Sequence, residues 1–216
     1  MEKKCVVAIL CIGVIFASNC LADDLLPPSW RGEANSTFQM WEFGNSNIPA
    51  DLSAGWFNPY GTPQANINNP FNLVSWLPSY NAGGNVTAYG IWKLYAGTLI
   101  LDIPNTLNTD PDSSKEIWLQ ITYFDPYGAG LSLPIDVNPD YAELTRERSI
   151  ILDTNFTHDT YKIILKPNPL EETITISPIQ CQLYVDQIVI DTICVPEPAT
   201  IMLLGLAGLL IRKRIR

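Results

Sequence analysis

The chain has 216 residues, enough for one domain plus terminal targeting segments. Seventeen prolines, thirteen glycines and almost no 3.6-residue periodicity argue against a helical protein, and one histidine with no CxxC pair argues against a structural zinc site. Thirteen Lys/Arg against twenty-two Asp/Glu give a net charge of −9, the wrong sign for binding nucleic acid or anionic lipid.

The first element predicted is a signal peptide over residues 1–22. Glu2, Lys3 and Lys4 form a charged n-region, Val6 to Ala17 an apolar stretch of twelve residues too short to span a bilayer, and Ala22 a small residue at the cleavage position. The body, 23–194, begins after it. A lipoprotein reading at Cys20 is disfavoured by Asn19, which stands where such signals need a small residue. The body alone holds seven Lys/Arg and twenty Asp/Glu, a net of −13. Such acidity fits an exported domain and attracts divalent cations, but it does not locate a site.

Within the body, Ser36–Phe43 alternates with Thr37, Gln39, Trp41 and Phe43 on one face, the period of a strand. Residues 44–70 are rich in Gly, Pro and Asn and read as one long loop carrying Trp56, Phe57 and Tyr60. Phe71–Leu77 is a short predicted strand and Ser79–Asn85 a turn. Val86–Tyr95 and Thr98–Ile103 read as a hairpin through Ala96-Gly97. Glu116–Phe124 alternates most clearly, Leu131–Val137 is weaker, and 138–147 reads as one helical turn capped by Asn138. Arg148–Asp153, Thr160–Lys166, Thr173–Ile176 and Gln182–Asp191 complete nine or ten short strands. The fold class expected is an all-β antiparallel sandwich, followed by a C-terminal transmembrane helix.

The last segment, 195–216, reads VPEPATIMLLGLAGLLIRKRIR. Pro196 and Pro198 lack N–H donors, so a helix starts only after them. Ala199–Ile211 is apolar on all sides, and Arg212, Lys213, Arg214 and Arg216 close it. Thirteen residues at helical rise cover about 20 Å, short of a hydrocarbon core of roughly 30 Å. The terminal basic cluster predicts a cytoplasmic C-terminus and a body outside the inner membrane.

The triplet Pro196-Glu197-Pro198, the apolar run and the basic end together resemble the PEP-CTERM sorting signal of Gram-negative bacteria. That resemblance implies an exosortase as partner, anchoring in the inner membrane before processing, and a destination in the cell envelope or outside the cell. It associates the protein with exopolysaccharide and biofilm. The strand LYVDQIVI, Leu183–Ile190, resembles the closing strand of jelly-roll domains related to galactose-binding modules, where Tyr184 and Asp186 are the matching residues and Asp186 is structural.

No nucleophile elbow, Walker motif or dinucleotide fingerprint is present. His158, in NFTHD, reads as an exposed turn residue. Glu33, Glu42 and Glu116 lie near tryptophans, but nothing in the sequence pairs them for glycoside hydrolysis. Trp41, Trp92 and Trp118 read as core. Trp56, Phe57 and Tyr60, in an Asn-rich loop, are the candidate glycan-binding residues, because sugars stack an apolar ring face on an aromatic ring. Asp110 and Asp112, in NTDPDSS, are candidate calcium ligands, although the glycine and terminal Glu of an EF-hand loop are missing. Cys181 and Cys194, the two mature cysteines of an exported chain, are expected to pair as a disulfide. The body is read as a non-catalytic envelope or matrix protein that binds glycan. The other reading is an extracellular polysaccharide-active hydrolase or lyase.

Overall fold

The computed structural model describes residues 24–105, 113–129, 131–132, 142–180 and 182–195. These residues form eleven strands and no helix: β1 Ser36–Trp41, β2 Gln64–Asn68, β3 Ser75–Tyr80, β4 Ala88–Tyr95, β5 Thr98–Pro104, β6 Ser114–Phe124, β7 Leu131–Ser132, β8 Ala142–Ile151, β9 Thr157–Leu165, β10 Glu171–Pro178 and β11 Gln182–Val195. All pairings are antiparallel. One sheet runs β3-β4-β11-β6-β9-β8 with β1 added to β11, and the other runs β2-β5-β10-β7.

The fourteen-residue β11 is the axis of the large sheet. It pairs β6 along one edge, while β4 (at 182–185) and β1 (at 188–193) share the other. Period-two alternation directs Ile117, Leu119, Ile121 and Tyr123 of β6 inward, where they meet Leu99, Leu101 and Ile103 of β5 and Ile174 and Ile176 of β10. This single inter-sheet core makes the body a β-sandwich, and it holds Trp41 and Trp92 as expected. Trp118, also expected in the core, lies instead on the outer face of β6. The N-terminal segment covers it there, and its indole N–H donates to the Leu26 carbonyl at 2.6 Å.

That covering explains why β11 reads as a nearly continuous apolar run. Its outer face is also buried, by residues 24–31 toward one end and by a smaller cluster of Ile91, Phe156 and Tyr184 toward the other. Arg31 clamps the segment. Its guanidinium bonds both oxygens of the fully buried Asp191 (2.5 and 2.6 Å), bonds Asp24, and lies 4.3 Å from the Phe38 ring. Gln120 accepts from the Leu26 N–H and donates to Asp24.

Four expectations change. β2 lies within the stretch read as loop, because its alternation, QANIN, is carried by polar residues around Ala65 and Ile67. β3 sits some four residues later than predicted and takes up the start of the expected turn. Ala96-Gly97 does not close a hairpin: β4 belongs to the large sheet and β5 to the small one, so the link is an arch between sheets. Ala96 adopts φ 52°, and a Cβ on Gly97 would lie 2.2 Å from Cγ2 of Val74. Finally, Ala142–Glu147 is not helical but the first half of β8, paired along β9 with a bulge at Arg146/Arg148.

Candidate functional site

The loop aromatics do not form one surface. Phe57 makes an isolated backbone bridge with Phe38 (N–H to carbonyl 2.6 and 2.7 Å), whose own ring lies under the Arg31 guanidinium. Trp56 is 38% exposed and Phe57 57%. Tyr60 is half-buried. Its N–H donates to Asn58 Oδ1, and its phenol is pushed up by burial and by the neighbouring Cys194. The rest of the loop is self-braced: Asp51 accepts from Asn45 and Asn47 (2.8 and 2.9 Å), and Asn58 donates to the Pro104 carbonyl. Two of the three predicted residues therefore face solvent, and the third is tucked under the end of β11.

His158 is not an exposed turn residue. It lies in β9 on the outer face and is buried; its Nδ1 is 2.9 Å from Thr122 Oγ1, and its Nε2 has no hydrogen-bond partner. Burial pushes its pKa down to about 4, against opposing pulls from Asp159 and Asp24. The turn ends earlier than its composition suggests: β9 begins at Thr157, directly after Asn155-Phe156. The Thr122 hydroxyl that meets the imidazole is itself buried. Glu116 accepts from the Trp30 indole and pairs with Lys162 at 2.9 Å, a bracing role.

Two buried polar constellations were invisible to sequence reading. Beside β8, Asp159 is fully buried on the inner face. Tyr123 and Tyr161 each donate to its Oδ2 at 2.9 Å, and Arg146 approaches to 3.6 Å. Burial and then Asp159 hold both phenols far above their ordinary pKa, so neither serves as a base at neutral pH. At the end of the sandwich where β11 finishes, Lys115 of β6 and Glu172 of β10 join the two sheets by an ion pair of 2.5 Å with neither side chain exposed. Cys194 lies beside it, 3.6 Å from Asn105 Oδ1, and Asn105 donates to Asn168 and to the Pro169 carbonyl. Burial pushes the Cys194 thiol up, the wrong direction for a nucleophile.

The expected Cys181–Cys194 disulfide involves Cys181, which lies outside the described residues. Cys194 is a free thiol near one end of β11, and Gln182 begins the strand at the other end. Twelve residues at about 3.3 Å each separate Gln182 from Cys194 by roughly 40 Å, whereas bridged Cα atoms lie within about 7 Å. Asp110 and Asp112 also fall outside the described residues, as do Pro196, Glu197 and Pro198. Among the described residues no three His, Cys, Asp or Glu side chains gather as metal ligands. Tyr184, matched to the jelly-roll closing strand, stacks on Tyr80 at 4.1 Å, and Asp186 sits at a bulge.

The described fold ends at Val195, still in register with Ser114, and the family comparison takes over at that residue: the model of the PEP-CTERM protein-sorting motif matches residues 195–214. The chain carries a PEP-CTERM sorting motif. It is thereby marked as an exported protein, anchored at the membrane until exosortase processes it. The PEP-CTERM match covers the targeting segment, not the sandwich. No curated protein and no solved structure matches the chain.

Proposed function

We propose that the chain is a non-catalytic component of the cell envelope or extracellular matrix. In this reading it is exported by the signal peptide 1–22, released by exosortase and bound to extracellular glycan by its jelly-roll-like body, 23–194. The observation that carries the binding half is the pair of solvent-facing aromatics Trp56 and Phe57 on a loop stiffened by Asn45, Asn47 and Asp51. An exposed, pre-ordered aromatic offers a sugar ring its apolar face without a large ordering cost. A glycan array probed with the mature protein, with and without calcium, tests it. Retention by an exopolysaccharide that falls at least tenfold in Trp56→Ala supports the reading, and equal retention removes the loop from it. The calcium arm tests Asp110 and Asp112.

The sorting half has a separate test. Replacing Pro196, Glu197 and Pro198 by alanine leaves export intact and blocks C-terminal processing. Intact-mass measurement of the cell-associated and released protein reads this directly, and an unchanged C-terminus overturns it.

A further inference from the structure

The large sheet delivers the chain to the membrane without a linker. Val195 is still paired with Ser114, and the apolar run begins at Ala199. Even fully extended, the four peptide steps between them reach no more than about 14 Å. A sandwich tied this closely to a bilayer has little freedom to turn over. The end that holds Val195 also holds Ser114 of β6, Leu165 of β9, Glu171 of β10 and Pro104 of β5, because the registers align them within each sheet and the Lys115–Glu172 pair joins the two sheets there.

We infer that, before processing, the sandwich stands end-on on the membrane, with the surface formed by Pro59, Pro167, Leu170 and Val195 against the lipid headgroup layer. The inference rests on the membrane-anchored state implied by the sorting motif. All four residues are exposed, and Leu170, at 53%, presents its side chain on a turn held from within: the Asn105 N–H donates to the Leu170 carbonyl, and the Asn105 side chain to that of Pro169. The four residues are apolar, and the charges beside them are mixed, with Lys166 next to Pro167 and Glu171 next to Leu170 both exposed. An acidic body gains nothing from anionic lipid, so the contact needs proximity and apolar insertion, and the short tether supplies the first. The opposite end, with Tyr127 and Ile179, then faces away from the membrane.

Ile179 is a matched control. It is also 53% exposed, and it lies beyond the far end of β10, whose seven steps put it at least about 20 Å farther from the membrane-facing end. The mature full-length chain, with Cys181→Ser and Cys194→Ser, carries an environment-sensitive fluorophore at Leu170→Cys or Ile179→Cys. Each form is reconstituted into phosphatidylcholine vesicles with a shallow spin-labelled lipid, and flotation is measured first. Loss of fluorescence at 170 with none at 179 supports the inference. Flotation with equal loss at both positions, or with the order reversed, overturns it and leaves the anchoring intact. Failure to float overturns the anchoring and the inference together. Protection at 170 that arises only when exosortase is co-reconstituted overturns the lipid contact and makes this end a protein-docking surface.

Discussion

Removing Glu172 should be far more damaging than removing Glu172 and Lys115 together. The pair joins β10 to β6 across the core, with both side chains at 0% exposure and a 2.5 Å contact, and neither group has a further hydrogen-bond partner. Glu172→Leu leaves an ammonium enclosed with nothing opposite it, which costs about 3–5 kcal/mol. Lys115→Met with Glu172→Leu replaces the pair by apolar groups of similar length, and such exchanges end within about 1 kcal/mol of the parent or above it. The coupling between the two sites is then at least about 2 kcal/mol. Burial pushes the Glu172 carboxyl up to about 7 despite Lys115. The folded state therefore holds this proton where the unfolded chain has lost it, and the stability so gained is lost as pH rises through about 7. Urea unfolding of residues 23–195, followed by tryptophan fluorescence, gives the coupling at pH 8, where the pair is charged, and the pH dependence from the parent at pH 6 and pH 8. A double variant as unstable as Glu172→Leu would falsify the reasoning, since the cost would then lie in packing and not in the orphaned charge.

Burial depresses His158 to about 4 from the 6.5 of a free imidazole, so its contribution is present above 6.5 and lost as pH falls toward 4. Relative to His158→Gln, the parent loses up to about 3 kcal/mol over that window, and parallel pH curves would contradict this. Arg31→Ala strips the clamp from the buried Asp191 and destabilises by about 3 kcal/mol. Adding Asp191→Asn recovers part of this by removing the orphaned charge, and no recovery in thermal unfolding would argue against it. Finally, peptide mapping of oxidised protein without reductant shows no Cys181–Cys194 link within one chain, and finding that link would mean β11 is not one continuous strand.

The strands with an apolar face were legible because the cue is local. Ile117, Leu119, Ile121 and Tyr123 alternate whatever they pair with, and β1, β5, β6 and β11 were found within a few residues. The errors fell where partners decide. QANIN becomes a strand only because Leu99 and Leu101 of β5 wait beside it, and Ala96-Gly97 serves a hairpin or an arch equally well until Val74 packs against the glycine. In the candidate site, the aromatic loop was visible as composition. Which way its rings face was not, because the Phe57–Phe38 bridge joins residues 19 apart through a contact with no local signature.

By itself the sequence determined the address and the material: the Pro-Glu-Pro segment with its apolar run and basic end, and an acidic β-rich body before it. These are local patterns, read by a membrane or a protease in the same linear order in which they are written. Tertiary structure alone decided what the polar residues do. His158 became an enclosed neutral ring, Asp191 the anchor for the N-terminal segment, and Lys115 and Glu172 a bridge between sheets, because burial and partners arrive from strands distant in the chain. It also decided that Val195 brings a particular end of the sandwich within about 14 Å of the apolar run.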